Sequence, residues 1–469
     1  MKKIFALLSV LLLLTSCDSK LDIVPKGKTT LSTVSDLETL LEQRFMLSST
    51  ANYETLVGNT YPVLWEQPGM TLADKSSLEY AYLAGDASVD RIELATSDQT
   101  YEFAYQYINY MNVIISKAPE AEGNPDDARR IIAEAKILRA WLHFLIANLY
   151  AAQYDDATAA TTGGIAYVAD TNPQTEKTKL TLAEVYNNIL TDCSDEVIAD
   201  LRQTAVDNPF RFGAEFGNAV RASVLFQMKH YAEALPYAQK AIKLNGKLED
   251  RTTVLSNAVW MLPHTSPNNY LLIYHNNSNI GEWGGCIGTP EFCADIDPDD
   301  VLILLGQYTQ DGWVDNAGYG PEGALMCGSW DVHYNSYGIR TENMYYLIAE
   351  AMIRAGQYRE GLRYVDAVRD LRINDNASRH YFDRTDITTE AQAMEILQKN
   401  KRVEMFTTIY NFLDRRRWNT EKAYRKASTH DCGEDGYFTV EPDSPLWITP
   451  YAAISRANGY VRNRYGLKP

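Results

Sequence analysis

The sequence predicts a mainly α-helical protein: a scaffold of tetratricopeptide-type helical hairpins that carries long irregular loop insertions. Three observations predict it. Arg340 to Ile373 reads as two short helices folded back on each other. Asn218 to Gly246 repeats its small and aromatic positions through Ala222, Tyr231, Ala234, Ala238 and Ala241, and self-similarity of this kind marks a repeat architecture. Between the two, residues 257–337 lose the helical period and gather Trp260, Trp283, Trp313 and Trp330 among many Gly and Asn.

In the later hairpin, Tyr345, Ile348 and Met352 recur at helical spacing, and so do Leu362, Val365, Val368 and Leu371. Gly356 stands where a chain leaving a helix favours a left-handed residue. Ala349 and Gly361 are small where two helices must approach closely, and Tyr358 can plug the crossing. Two such units fall short of the roughly three a solenoid needs, so other helices must complete the stack.

Upstream, Ser35 starts a short helix with Leu37, Leu40, Leu41 and Phe45 on one side. Tyr53 to Leu94 has no sustained period and reads as loops and short turns. From about Thr100 a helix resumes, with Phe103, Tyr107, Met111 and Ile114 lining one face. A longer one follows from Asp126 to Tyr150, apolar on most sides past Leu138 and therefore expected between neighbours. Thr161 to Lys179 reads as a loop. Thr181 with Glu184 forms a capping box, and the helix it opens continues through Val197. Tyr270 to Tyr274 suits a short strand. Thr388 to Trp418 reads as one long helix, and the tail from Tyr437 as irregular.

A chain of 469 residues can bury a large core. The formal charge of −17 argues against a nucleic-acid partner, which wants a basic face. With 31 Tyr and 8 Trp against 13 Phe, the aromatic surface is rich in rings that stack while keeping a polar tip.

The N-terminus is the most specific motif. Lys2 and Lys3 precede an apolar run from Ile4 to Leu14, too short to span a bilayer, and the run ends in Leu14, Thr15, Ser16 and Cys17. This resembles a bacterial lipobox, which implies cleavage before Cys17 and a lipid on it. The expected organisation is a signal peptide over 1–16, a polar tether over 17–34, and one domain over 35–469. Within it, 100–246 and 338–418 form the helical scaffold and 257–337 the loop-rich region. The protein would be anchored to a membrane surface without spanning it. Five further cysteines, at 193, 286, 293, 327 and 432, are an odd number and cannot all pair. Cys286 and Cys293 are close enough in sequence to bridge, but the expectation is free thiols.

No motif for hydrolysis, nucleotide binding or metalloprotease chemistry is present, and the expectation is a binding protein without cofactor or metal. Asp295, Asp297, Asp299 and Asp300 resemble the start of a calcium loop. Asp300, however, stands where the turn needs Gly, and Gly306 where the twelfth ligand belongs. A turn entering a helix from Val301 to Leu305 is the simpler reading. The aromatic loops are the site candidate. A Trp face stacks on the polarised C–H face of a sugar or on a peptide side chain, and neighbouring amides fix orientation. Trp283 with Asn276, Asn277, Asn279 and Glu282 fits this recipe, as does Trp313 with Asp311, Asp315 and Asn316. Trp330 and Trp65 complete the set of candidate ligand-binding residues.

These pieces together resemble the SusD/RagB family of nutrient-binding lipoproteins of the Bacteroidetes outer surface. The resemblance covers nearly the whole chain. It rests on the lipobox, on AEAKILRAWLHFLIANLY, on RTENMYYLIAEAMIRAGQYREGL and on the late helix ending in LDRRRW. Members usually carry ERR-x-EL-x-x-EG-x-R-x-x-DLRRW. Here Arg402, Glu404, Asp414, Arg416, Arg417 and Trp418 match it, while Asn400, Thr408, Ile409, Asn411 and Arg415 depart. ITPYAAI is similar to the family's PIP-x-x-EI, with Ala453 where Glu is usual. The resemblance implies an outer-membrane lipoprotein facing the cell exterior. It would bind an oligosaccharide or polysaccharide and pass it to a SusC-like TonB-dependent transporter. An oligopeptide ligand, or a docking role on the transporter without ligand contact, are the alternatives it leaves.

Overall fold

The two hairpins form as the spacing predicts and have the same architecture. The computed structural model describes residues 31–47, 53–61, 77–172, 175, 177–204, 208–253, 266–275, 286–304, 308–309, 323–327, 335–374, 384–432, 436–453 and 462–463. Its principal helices are α1 (Gln99–Lys117), α2 (Pro125–Tyr150), α3 (Leu182–Asp192), α4 (Ala214–Gln227), α5 (Tyr231–Leu244), α6 (Thr341–Arg354), α7 (Tyr358–Arg369), α8 (Glu390–Glu404) and α9 (Tyr410–Asn419). Helices α4 and α5 make the first hairpin, and α6 and α7 the second. Each first helix has 14 residues and is followed by three connecting residues.

The two turns are chemically equivalent. In the second, Gly356 adopts φ +80°; its N–H donates to Ile353 O and that of Gln357 to Met352 O. In the first, Lys229 stands at the same step with φ 68°, and the N–H groups of Lys229 and His230 donate to Phe226 O and Leu225 O. Both are Schellman-type ends that satisfy the last carbonyls of a helix. The crossing in the second hairpin is as tight as its small residues imply. A Cβ on Gly361 would lie 2.7 Å from Ala349 O and 2.9 Å from Ile353 Cγ1.

Hairpin packs on hairpin through α5 and α6, and α8 continues the stack against α6 and α7. At the other end α2 packs with α1, α3 and α4. The helices that complete the repeat are therefore α1, α2, α3 and α8. Asn124 caps α2, with Pro125 at its first position and Asp126 and Asp127 in its first turn. From Ile137 to Tyr150 every residue of α2 is buried, as its apolar surround demands. Ala222, Ala234, Ala238 and Ala241 are fully buried at the hairpin contacts. In α6 Ile348, Ala349 and Ile353 are fully buried, while Tyr345 and Met352 are half-buried at the rim, as is Leu371 beyond α7.

Four stretches differ from the expected reading. The helix opened by the Thr181–Glu184 capping box stops at Asp192, because Ser194 caps a new short helix, Asp195–Ala199. The expected long helix over Thr388–Trp418 is two helices. Thr407 adopts φ 65°, its N–H donates to Glu54 Oε1, and Ile409 N–H donates to Ser336 O. Tertiary acceptors there replace the helical ones. Within Tyr53–Leu94 the described residues include the helices Tyr53–Leu56, Leu78–Ala84 and Arg91–Leu94, too short to show a period. The region around Tyr437 is ordered as an antiparallel pair, Ser428–Asp431 with Tyr437–Val440.

The residues shared with the DLRRW-type segment hold this scaffold together. Glu404 accepts from Arg372 (Nε, 2.7 Å), Arg340 (3.3 Å) and Arg251 (3.3 Å). Arg417 grips Glu350 and also reaches Asp414, while Lys401 pairs with Asp414 at 2.7 Å. All these groups are buried. Cys193, Cys293, Cys327 and Cys432 are buried and carry no disulfide; the side chain of Cys286 lies outside the described residues.

Candidate functional site

A small sheet roots the loop-rich region. Its strands are β1 (Cys286–Gly288), β2 (Tyr308–Thr309) and β3 (Leu325–Cys327), with β3 in the centre and both neighbours antiparallel to it. The register pairs Cys286 with Cys327. The chain thus enters β1 and leaves β3 at the same end of the sheet. Along the outer edge of β1, Thr60 bridges Gly288 in antiparallel fashion and Tyr61 N–H donates to Ile287 O at 2.9 Å. The step from Thr60 to Tyr61 therefore runs toward that same end. On the opposite edge β2 runs from Tyr308 to Thr309 toward the other end.

Trp283, Trp313, Trp330, Trp65, Asn277 and Asn279 lie outside the described residues, and so does Cys17. The sheet brings together the roots of three of these segments. Trp283 stands three residues before Cys286, Trp330 three after Cys327 and Trp65 four after Tyr61. The Trp313 segment starts from the other end.

Beside this sheet is a polar cleft of about 240 Å³ that the sequence reading missed. Tyr61, Thr289, Glu291, Thr429, Asp431 and Tyr437 line it. Tyr437 is 73% exposed. Burial, and secondarily the charge of Asp431, raise the Tyr61 phenol well above its ordinary range, so it stays a neutral donor. Thr289 caps the short helix Pro290–Cys293 and places Glu291 at the rim. Gly436, at φ 88°, precedes the strand that presents Tyr437. The alternating Tyr437-Phe438-Thr439-Val440 was the available signal.

The aspartate run is engaged within the protein. Asp295 accepts from Arg402 at 3.1 Å, and Asp297 is ion-paired with Arg369 at 2.5 Å. Asp300 accepts from Leu302 N–H and thereby starts the turn Val301–Leu304. Among the described residues no group of three or more His, Cys, Asp or Glu converges on a metal position. His143 is a core residue: its Nδ1 bonds Arg139 O and Val168 N–H donates to its Nε2. Among the described residues no helix is long and apolar enough to cross a membrane.

Comparison with known proteins agrees with this architecture. The profile of a family described as "Starch-binding associating with outer membrane" matches residues 21–200. That of the SusD family proper matches residues 312–463. No curated protein matches the chain significantly by sequence. Among solved structures, a SusD superfamily protein from Bacteroides thetaiotaomicron is similar at 18% identity and TM-score 0.67, over 91% of this chain and 98% of that one. A SusD-like carbohydrate binding protein from Bacteroides vulgatus gives 14% and 0.65, over 93% and 99%. A laminarin binding SusD-like protein gives 16% and 0.65, over 94% and 100%. At such identities the structures speak for the fold alone. The two profile matches cover both the α1–α3 end and the segment from the second hairpin to β-strand Arg462–Asn463. By these matches, the chain belongs to the SusD/RagB family.

Proposed function

We propose that this protein is a surface lipoprotein that binds a glycan through its aromatic loops and hands it to a SusC-like TonB-dependent transporter. The observation that carries the reading is the convergence described above. The segments bearing Trp65, Trp283 and Trp330 depart from one end of one small sheet. Flat, weakly negative indole faces suit the C–H faces of consecutive sugars, and Asn277 and Asn279 would supply amides for their hydroxyls. The neighbouring cleft with Tyr61 and Tyr437 offers the same chemistry. Two similar structures described as carbohydrate binding and laminarin binding make glycans the first class to test. Cys17 would carry the lipid, and the polar tether would let the body stand off the membrane. We read the protein as binding its ligand unchanged, with Trp283, Trp313, Trp330, Trp65, Asn277 and Asn279 as the contact residues.

Affinity electrophoresis through gels cast with individual polysaccharides, laminarin among them, tests this. Retarded migration on at least one glycan is expected. Retardation on none, with oligopeptides binding in calorimetry, would replace the sugar by a peptide.

A further inference from the structure

On the far side of the short helix Pro290–Cys293 lies a second, larger cleft of about 440 Å³, within the range of ligand pockets. Helices α8 and α9 form its floor, through Gln398, Lys399 and Arg402 and through Asn411, Arg415 and Trp418. Tyr424 and Lys426 close it from the following turn.

Its charges do not cancel. Arg402 pairs with Glu291 at 3.2 Å and with Asp295 at 3.1 Å. Lys426 pairs with the same Glu291, and Lys399 with Glu395 at 3.0 Å. Arg415 is the cation left over. Its Nη1 donates to the Lys426 carbonyl at 3.2 Å, and among the described residues no carboxylate lies within ion-pair distance of it. Burial, aided by the positive charge of Arg402, pushes this guanidinium down to about 10. An arginine in that setting is suited to an anion, since its planar fork matches a carboxylate. Arg415 and Asn411 are also two of the positions at which the chain departs from the segment it otherwise resembles.

The rest of the lining selects among anions. Trp418 and Tyr424 are half-buried rings on the wall. Gln398 adds an amide suited to a hydroxyl, whereas apolar lining is limited to Val57 and Ala294. That is the chemistry of a sugar ring bearing a carboxylate, not of a peptide side chain.

We propose that this cleft binds a uronic acid residue of an acidic glycan, with Arg415 receiving its carboxylate. The proposal deepens the glycan-binding reading and rests on it. Calorimetric titration of the full chain with an α-1,4-linked galacturonate tetramer, maltotetraose and tetraglutamate tests it. The galacturonate tetramer should bind and tetraglutamate should not. R415Q should weaken galacturonate binding about tenfold to a hundredfold, the range for a charge-assisted hydrogen bond. Q398A, which leaves the ion pairs intact, should weaken it less. Both variants should keep the thermal midpoint and the retardation on neutral glycans. Galacturonate binding indifferent to R415Q, no galacturonate binding, or equal binding of tetraglutamate would each overturn the cleft assignment. Retention of neutral-glycan binding in those cases would leave the aromatic-loop reading standing. Loss of neutral binding in W283A and W313A with galacturonate binding intact would separate the two sites.

Discussion

The Arg417 guanidinium and the Glu350 carboxylate face each other as a buried two-point pair. Nη1 reaches Oε1 at 2.7 Å and Nη2 reaches Oε2 at 2.8 Å, with both side chains fully shielded from solvent. The indole N–H of Trp418 donates to the same carboxylate at 3.0 Å. The pair ties α9 to α6, and so ties the end of the chain's scaffold to its second hairpin.

Burial alone would raise the Glu350 carboxyl, but Arg417, together with Arg354 and Lys401, brings it down to about 2. An unfolded glutamate titrates near about 4.3. The stability that follows is present above that value and is lost as pH falls toward 2. Glu350→Gln should cost about 3–5 kcal/mol at pH 7, because it removes the two-point partner of buried Arg417 and leaves Asp414 to neutralise both Arg417 and Lys401. It should also flatten the acid limb of the stability profile below about pH 4.3. Urea unfolding at pH 7 and across the acid range reads both effects.

His143 titrates in a different window. Burial first, and the nearby Arg139 charge second, hold its imidazole at about 3. The unfolded ring binds a proton near about 6.5, so stability should fall as pH drops below that value, by about 1.4 kcal/mol per unit. Between pH 7 and pH 5 the loss from this group is about 2 kcal/mol. His143→Gln should remove that slope, whatever its effect at pH 7. An unchanged slope would show that the ring is not held neutral.

The two hairpin turns predict a stabilising change. Lys229 occupies the left-handed position that Gly356 fills in the sister hairpin. Lys229→Gly should relieve about 1 kcal/mol of backbone strain. The gain is offset in part by losing the contact of its amine with Thr420 Oγ1 at 3.2 Å. A raised unfolding midpoint in denaturant checks it.

Most of the scaffold was legible in the sequence because local signals and packing agree there. The Gly361–Ala349 crossing, the Thr181–Glu184 box and the apolar surround of α2 each leave a pattern in a short window. The break at Thr407 was not legible. Its cause is Glu54, more than 350 residues away in sequence, whose carboxylate takes the backbone N–H that a continuous helix would have used internally. The partners of the DLRRW-type residues were not legible: no pattern in a short window marks Glu350 and Glu342 as acids that the fold buries. The Trp and Asn of the proposed binding loops stand out by composition alone, and they lie outside the described residues. The Tyr61–Tyr437 cleft and the excess cation at Arg415 were not legible, since each is assembled from segments far apart in the chain.

The central claim is that the aromatic loops bind the nutrient. Its most direct test is calorimetric titration of the wild-type protein, Trp283→Ala and Trp313→Ala with a glycan that retards the protein in a gel. Each variant should keep its thermal midpoint and bind about tenfold more weakly, as loss of an aromatic anchor does. Unchanged affinity in both variants would contradict the claim and move the binding face away from these loops.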